Sequence, residues 1–342
     1  MPKIEQTQIF RPSTSPAPPR RCTARVPPGV ISGLISLVLL AAIGCPRDGT
    51  PGTAHRPLRV LLYPSNKGEA AAPARDALAK ALASATGLRV ETRVPIDYFT
   101  AVKDLGSGEV DVALLNNLSY LLAEEIYGAR ARLTVLRHGG LSIHRGQLLV
   151  RADAGIGALP QLEGKRVAFV DPYSVTGFVL AAHLFAFEGV KVGATSFVGS
   201  HEEAVRQVYT GDVDVGATYD GGGEGGGAPA DLRAKLVEAY PDLGEQIVSL
   251  AKTKPIPNEP VVLRRGLDPA LADKLVAALR ALPQRPEAKQ ALLDLGDIAG
   301  FQDARPEDYA PLREMVKSIG KEVEEMVPGG WRLKLKTSDP VR

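Results

Sequence analysis

The spacing of apolar residues changes repeatedly along the chain between two periods, which predicts strands and helices in turn. Short apolar runs between polar, Gly or Pro residues are typical of buried strands, whereas apolar residues three or four positions apart are typical of helices. From residue 58 onward the two patterns alternate, which favours an α/β fold with helices on both faces of a mostly parallel sheet. The predicted strands are 58–62, 88–94, 110–115, 142–151, 166–170, 195–198, 213–218 and 261–264.

The predicted helices end at glycines or at breaks in the apolar pattern. Gly87 and Gly106 are the expected stops of the first two helices, and Gly189 ends the helix that follows Ser174. The last three helices are amphipathic, which is typical of packing rather than of chemistry. The predicted helices are 70–85, 98–105, 118–127, 175–188, 202–209, 269–282, 287–295 and 306–326, with a short one at 159–163.

The stretch 165–190 combines a strand, a turn rich in hydroxyl groups and a helix. The strand 166–170 stops at Asp171, and Ser174 is a favourable N-cap for the helix that follows. The free N–H groups of a helix N-terminus, its positive dipole end and the hydroxyls of Ser174 and Thr176 would meet at one point, which is a site for an anion. The alternative is an ordinary capped turn between a strand and a helix.

The first 57 residues have the composition of a targeting segment followed by a spacer. Four arginines precede an apolar stretch at 30–43 that is shorter than most membrane-spanning helices, and the residues from Ala42 to Cys45 resemble a bacterial lipobox. We therefore interpret 1–45 as a lipoprotein signal peptide with a lipidated Cys45, and 46–57 as a flexible spacer. The expected location is the periplasm or cell envelope, with a membrane anchor at Cys45; a soluble periplasmic protein is the alternative.

Loss of that segment would change both the thiol content and the charge of the chain. Cys22 and Cys45 are its only cysteines, so the remaining chain has no thiol for a disulfide, a zinc site or nucleophilic catalysis. Residues 1–45 hold five of the 41 Lys and Arg and one of the 39 Asp and Glu, which leaves 36 against 38 and a formal charge near −2. Without a basic stripe, nucleic-acid binding is not expected, and neither a metal nor a cofactor is predicted.

Six short pieces of sequence resemble one protein family in their order and spacing. They are Asp97-Tyr98, Val110-Asp111 through Ser119-Tyr120, Asp171 to Gly177, Gly199-Ser200-His201, Val213 to Thr218 and Pro255 to Asn258. The family is that of the phosphate, phosphite and phosphonate substrate-binding proteins of ABC transporters, the PhnD-like branch of the type 2 periplasmic-binding fold. No piece is diagnostic alone, but all six occur in register between residues 58 and 327.

The resemblance implies two α/β lobes that are joined by two crossing strands and hold a small phosphorus oxyanion in the cleft between them. Lobe 1 would comprise 58–150 and 256–342, and lobe 2 would comprise 151–255. The implied protein is the extracytoplasmic solute-binding component of an ABC importer. It would be a monomer without catalytic residues that delivers a phosphonate, phosphite or phosphate to permease and ATPase subunits.

The same resemblance implies which residues bind the ligand. The family's run of three hydroxyl residues is interrupted here by Val175, which keeps a backbone N–H but has no hydroxyl. The loss of one hydrogen bond costs about 1 kcal/mol, so the identity of the oxyanion stays open. The implied ligand-binding residues are Tyr98 and Tyr120 in lobe 1, and Ser174, Val175, Thr176, His201 and Asp214 in lobe 2.

Several of these residues also have an ordinary structural interpretation. Tyr98 and Tyr120 could be half-buried core tyrosines, and His201 could be a solvated histidine at a strand end. A carboxylate such as Asp214 within an apolar strand needs a partner. That partner would be either a hydrogen of the ligand or a group of the protein itself.

Two other functional classes are alternatives. A hydrolase could use Ser174, His201 and Asp214, but the chain has no G-x-S-x-G motif, and such sets of residues occur by chance in a chain of this length. A sensing lipoprotein could use the same cleft to act on a signalling partner, because a fold does not fix a function.

Overall fold

The structure, a computed structural model, describes residues 49–220, 232 and 235–333. The predicted signal peptide 1–45, with Cys45, lies outside the described residues and stays a prediction. The described residues lie within one compact unit. None of the helices in the described ranges is both long and apolar enough to cross a membrane.

The strands of the described residues form two large sheets and one short pair. They are β1 Leu58–Leu61, β2 Val90–Arg93, β3 Val112–Leu114, β4 Arg130–Leu136, β5 Ile143–His144, β6 Gly146–Arg151, β7 Val167–Phe169, β8 Thr195–Phe197, β9 Val215–Tyr219, β10 Ile247–Lys252, β11 Ile256–Pro257, β12 Pro260–Leu263 and β13 Gly300–Asp303. The first sheet has the order β13-β4-β12-β3-β1-β2, the second has the order β10-β6-β9-β7-β8, and β11 pairs with β5. We call the first sheet with its helices the first lobe, and the second sheet with its helices the second lobe.

Both sheets are mixed rather than mostly parallel, which corrects the prediction from the alternating pattern. The parallel pairs are those of β1 with β2 and β3, and of β7 with β8 and β9. The strands β12 and β6 follow the crossing segments and run antiparallel to β3 and β9. The prediction of parallel neighbours therefore holds only where helices connect the strands. A strand that follows a crossing segment is not preceded by a crossover helix, so it can run antiparallel to its neighbour.

Most of the helices begin and end close to the predicted residues, but the short helix Leu243–Gln246 was not predicted. They are α1 Ala72–Thr86, α2 Tyr98–Ser107, α3 Asn117–Tyr127, α4 Leu180–Glu188, α5 His201–Thr210, α6 Leu243–Gln246, α7 Pro269–Ala281, α8 Pro286–Gly296 and α9 Ala310–Ser318. A π-helical turn, Val175–Val179, precedes α4. The 3₁₀ turns are Pro64–Lys67, Glu69–Ala71, His138–Gly140, Leu159–Leu162, Leu282–Gln284, Pro306–Tyr309 and Val323–Met326.

Glycines end several helices as predicted, with one exception. Gly87 and Gly189 adopt the left-handed conformation after α1 and α4, with φ of 69° at both residues. Gly106 does not end α2, which continues to Ser107 and stops at Gly108 with φ 79°. The predicted stop was therefore wrong by two residues.

Four strands, β4, β10, β11 and β13, are absent from those predicted from the apolar pattern; of these, β11 has only two residues. The strands β10 and β13 lie at the edges of their sheets and carry exposed or partly exposed side chains, which weakens their pattern. Two arginines, Arg130 and Arg132, similarly interrupt β4. The predicted helix 306–326 is also shorter, since α9 ends at Ser318.

Central strands are buried on both faces, so the two sheets form fixed platforms. Val60 and Leu62 pack on one face of the first sheet, and Leu61 packs on the other. In the second sheet Leu148 and Leu149 face opposite sides in the same way. This alternation follows from the two-residue period of a strand. It determines where the carboxyl ends of the strands, and the turns after them, lie in space.

Two short crossing strands, β5 and β11, join the lobes as antiparallel partners, and His144 pairs with Ile256. This confirms the predicted pair of crossing strands. The strand β6, however, pairs with β9 and β10 in the second sheet. Residues 146–150 therefore belong to the second lobe, whereas the predicted boundary at residue 150 had placed them in the first. The chain leaves the first lobe at β5 instead.

The buried amide of Asn258 holds the crossing segments together. Its Nδ2 donates to the carbonyls of Val135 and Leu141 at 3.0 and 2.8 Å, and its Oδ1 lies 3.0 Å from His144 Nδ1. The backbone carbonyl of Asn258 accepts a hydrogen bond from the Tyr309 hydroxyl at 3.0 Å. Because Asn258 is only 1% exposed, water cannot replace these bonds.

We expect Asn258→Leu to lower the free energy of unfolding by about 3 kcal/mol, because it leaves two buried carbonyls without donors. Urea denaturation, followed by circular dichroism, measures the change. The exposed variant Gln290→Ala is the control and should stay within about 0.5 kcal/mol of the parent. An unfolding curve that Asn258→Leu leaves unchanged would show that the crossing segments do not depend on this amide.

Candidate functional site

A cleft of about 1530 Å³ lies where strands of both sheets end. Its walls include Asn116, Asp171, Gly199 and Asp220, which follow the carboxyl ends of β3, β7, β8 and β9. Open α/β sheets bind ligands at this edge. The cleft is larger than the roughly 300–1,000 Å³ of most small-molecule pockets, so its walls would have to approach each other to enclose a small ligand.

Three helical segments begin at this cleft: α3, the π-helical turn and α5. Their N-caps are Asn116, Ser174 and Ser200, whose side-chain oxygens accept the N–H of the residue three positions later at 2.8, 3.0 and 3.1 Å. The first two N–H groups of each segment have no partner inside it. Together with the helix dipoles, these donors make the cleft favourable for an anion.

The π-helical turn sits directly on the end of β7. The carbonyl of Ser174 accepts the N–H of Val179, five residues on, at 3.0 Å. Gly177 touches the strand so closely that a Cβ in its place would lie 2.4 Å from a methyl group of Val170. The N–H of Val170 in turn donates to the Gly177 carbonyl at 3.0 Å. These contacts fix the turn, and π-helical turns are frequent at functional sites.

His201 is the first residue of α5 and is held against the end of β9. Its Nδ1 lies 2.8 Å from Thr218 Oγ1, and its ring meets the Tyr219 ring edge-on at 4.9 Å. Five of the predicted ligand-binding residues are thus brought together in the cleft wall. These are Tyr98, Ser174, Val175, Thr176 and His201.

Tyr98 begins α2, directly after the N-cap Asp97, which accepts the Thr100 N–H at 2.8 Å. Burial, and then the negative charge of Glu259, raise the pKa of the Tyr98 hydroxyl to about 12. The hydroxyl therefore stays protonated at physiological pH and can donate a hydrogen bond into the cleft.

Tyr120 is not in the cleft wall, which corrects its predicted role. Its side chain is fully buried, and its hydroxyl donates to Glu124 at 2.8 Å. Its ring packs edge-on against Tyr309 at 5.0 Å. Burial and the Glu124 hydrogen bond raise the pKa of this phenol. Tyr120 lies on the inner face of α3, so it is a core residue.

Asp214 does not reach the cleft either. It precedes β9 instead of lying within it, and its two oxygens accept bonds from the Arg166 guanidinium at 3.0 and 3.2 Å and from the Arg166 N–H at 2.8 Å. The hydrogen bond from Arg166 lowers the pKa of Asp214. The sequence left open whether the partner of Asp214 is a hydrogen of the ligand or a group of the protein. In the structure the partner is Arg166, a group of the protein.

The sheet geometry explains why Asp214 is misplaced. The strands β7 and β9 are parallel, so Arg166 and Asp214 lie together at their amino ends, whereas the cleft is at their carboxyl ends. Asp111 holds the same position before β3 of the first lobe and accepts bonds from Arg56 and Arg264 at 3.0 and 2.9 Å. The Val-Asp-Val pattern therefore marks a structural ion pair in both lobes.

Three of the carboxylates that line the cleft face cations of the protein. The pairs are Glu259 with Arg137 at 2.6 Å, Asp220 with Lys252 at 3.1 Å, and Glu202 with Lys235 at 2.6 Å. Burial raises the pKa of Glu259, but the charges of Arg137 and His144 outweigh it, so the pKa lies below its usual value. Because these carboxylates are neutralised locally, they repel an anion less than isolated charges would.

The sequence did not identify several residues of the cleft wall. Asn116 follows an apolar strand and opens a helix, so the N-cap reasoning applied to Ser174 would have found it. Arg137 and Glu259 carry no such signal, since their contact joins residues 122 positions apart.

The three residues of the hydrolase alternative do not form a catalytic set. Asp214 pairs with Arg166, and His201 Nδ1 faces Thr218. Ser174 Oγ accepts the Gly177 N–H at 3.0 Å and caps the turn. Among the described residues, no group of three or more His, Cys, Asp and Glu side chains could hold a metal ion.

Known proteins match the chain over much of its length. A family model described as "ABC transporter, phosphonate, periplasmic substrate-binding protein" matches residues 60–309. The phosphate-import protein PhnD of Mycolicibacterium smegmatis is 28% identical over 209 residues, which make up 56% of this chain and 65% of that protein. The alignment thus spans slightly less than two thirds of that relative.

Solved structures share the fold. XAC2383 from Xanthomonas citri bound to ATP has a TM-score of 0.62 at 22% identity and covers 79% of this chain and 98% of its own. PhnD1 from Prochlorococcus marinus in complex with methylphosphonate has a TM-score of 0.57 at 17% identity and covers 77% and 98%. Both confirm the two-lobed α/β architecture. Since the family model spans well over half of the residues, the chain belongs to the periplasmic substrate-binding proteins of phosphonate ABC transporters.

Proposed function

We propose that this protein is the extracytoplasmic solute-binding component of an ABC importer and that it binds a small phosphorus oxyanion in the cleft. The observation that carries the proposal is the opening of three helical segments at one cleft, next to the hydroxyls of Ser174 and Thr176. Such a set of N–H and O–H donors suits a tetrahedral oxyanion. Permease and ATPase subunits would then be its partners, as in the family to which the chain belongs.

The names and titles of related proteins support a phosphorus oxyanion. The relative from Mycolicibacterium smegmatis is a phosphate-import protein, and PhnD1 was solved with methylphosphonate and XAC2383 with ATP. All three of these molecules contain a tetrahedral phosphorus group with several oxygen acceptors. The donors in the cleft described here match that shared group.

Apolar side chains in the cleft favour a phosphonate over inorganic phosphate. Leu141, Ile143 and Tyr173 line the cleft while 51%, 45% and 39% exposed. An apolar wall near the oxyanion donors suits an organic substituent on phosphorus, which would bury part of this exposed surface. Tyr173 directly precedes Ser174, so one turn would contact both parts of such a ligand.

We expect calorimetry to show that methylphosphonate binds with a one-to-one stoichiometry and without turnover. Thr176→Val should weaken binding about tenfold, because it removes a hydroxyl donor and keeps the shape of the side chain. Asp214→Asn is the control: it lies at the far ends of the strands and should leave the affinity unchanged. Failure of methylphosphonate, phosphite and phosphate to bind would refute the proposed function.

Lobe closure should accompany binding. Tyr98 belongs to the first lobe and Ser174 to the second, so a ligand that contacts both favours the state in which the walls are closer. Small-angle scattering should give a smaller radius of gyration with saturating methylphosphonate. His201→Asp, which places a negative charge beside the donors, should show no such change. An unchanged radius for the bound parent protein would indicate a rigid cleft.

We further propose that the protein is anchored to the membrane through lipidated Cys45, a residue outside the described part of the chain. Cys45→Ser should move the protein from the membrane fraction to the soluble fraction, since the acyl chains would be its anchor. Fractionation and immunoblotting measure the change, with Cys22→Ser as the matched control. Retention of Cys45→Ser in membranes washed with high salt would contradict the proposal.

A further inference from the structure

Two buried polar atoms in the cleft wall lack a hydrogen-bond partner: Asn117 Oδ1 and Ser119 Oγ. Both residues lie in the first turn of α3 and are almost completely buried, with exposures of 2% and 0%. Buried polar atoms are nearly always paired, so an unpaired atom beside a cleft points to a missing partner there. Two such atoms in one helix turn indicate a binding position.

The amide of Asn117 has a fixed orientation. Its Nδ2 donates to the Pro257 carbonyl on the crossing strand β11 at 2.8 Å. A carbonyl can only accept, so the nitrogen must face Pro257, and the unpaired atom of the amide is the oxygen. The first turn of α3 therefore presents one hydrogen-bond acceptor in the cleft wall.

The surroundings of Asn117 Oδ1 are otherwise rich in donors. Ser119 uses its backbone N–H to bond the N-cap Asn116 at 2.8 Å, which leaves its hydroxyl as a separate donor. The N–H groups of Asn117 and Leu118 have no partner inside the helix. A ligand that satisfies this turn needs ionised oxygens for the donors and one hydrogen for the acceptor.

We propose that Ser119 and Asn117 form the first-lobe half of the ligand site and select an oxyanion that carries one hydrogen. Ser119 Oγ donates to an ionised oxygen, and Asn117 Oδ1 accepts the hydrogen of a P–OH group. The substrate class is then a singly protonated phosphonate or phosphate, and sulfate, which has no hydrogen, is excluded. This inference rests on the proposed function and adds the residues that set its specificity.

The selecting role belongs to Asn117 rather than to the ion-paired carboxylates of the cleft, because cations of the protein already engage those carboxylates. Glu259 and Asp220 pair with Arg137 and Lys252 across 2.6 and 3.1 Å. A neutral acceptor also carries no charge that would repel the oxyanion. Sulfate would place an oxygen lone pair against Asn117 Oδ1 and leave this acceptor without a hydrogen bond. The protonated ligand would instead donate a hydrogen bond to it.

Two residues elsewhere in the chain are matched controls. Ser249 on β10 also has a buried hydroxyl without a partner, and Asn66 likewise donates from Nδ2 to a backbone carbonyl, that of Leu295 at 2.9 Å, while its Oδ1 is unpaired. Neither residue lines the cleft. Substitutions at Ser249 and Asn66 therefore reproduce the local structural changes without touching the proposed site.

The experiment is calorimetry with methylphosphonate and with sulfate on the full-length protein, at a pH where methylphosphonate is singly protonated. We expect Ser119→Ala to weaken methylphosphonate binding about tenfold. We expect Asn117→Leu to lower the preference for methylphosphonate over sulfate about tenfold or more. Ser249→Ala and Asn66→Leu should change neither quantity. Thermal unfolding of each variant shows whether it folds.

The possible outcomes separate this inference from the proposed function. If the parent protein binds methylphosphonate and Ser119→Ala binds it equally well, the hydroxyl is satisfied by water and the inference is overturned. An unchanged preference in Asn117→Leu also overturns it. If the parent protein binds no phosphorus oxyanion, the proposed function fails and takes this inference with it. A loss of preference at Asn117 but not at Asn66 supports it, because a purely structural role would not change the ratio of two affinities.

Discussion

One buried amide, that of Asn258, holds together the segments that cross between the two lobes. Asn258 bonds the end of β4 through Val135 and the crossing segment through Leu141 and His144. A crossing segment has few backbone partners of its own, since β5 and β11 are only two residues long. The side chain of Asn258 supplies the missing bonds, and so fixes the direction in which the chain passes from one sheet to the other.

The π-helical turn Val175–Val179 is connected to this junction through apolar packing. Val179 and Leu180, at the end of the π-helical turn, pack in the same cluster as Ile256 of β11 and Met315 of α9. The segment that offers its first N–H groups to the cleft therefore has its other end against the first lobe. A ligand that shifts the turn acts directly on the contact between lobes, because packed apolar surfaces move as units rather than deform.

The charges around the cleft suit the oxyanion that is proposed as its ligand. Helix N-termini supply partial positive charge that needs no side-chain ordering, while Glu259 and Asp220 are matched by Arg137 and Lys252. The Asp214–Arg166 pair lies at the far ends of the strands, where it ties β7 to β9. The proposed binding site and the Asp214–Arg166 ion pair thus lie at opposite edges of the second sheet.

The sequence by itself determined the alternation of strands and helices and the capped turn at Ser174, because each depends on residues that are neighbours in the chain. It also indicated the family, because the order and spacing of six short pieces along the chain need no knowledge of tertiary contacts. It could not determine the direction of β6 and β12, since that follows from crossing segments whose contacts are remote. Nor could it show that Asp214 lies away from the cleft. A polar residue before a strand and one after it both simply flank an apolar run in the sequence, and only the direction of the strand in the sheet assigns them to opposite edges. Tertiary structure alone also brought Asn117 and Ser119 to the cleft wall, because the partner of Asn117, Pro257, lies 140 residues away.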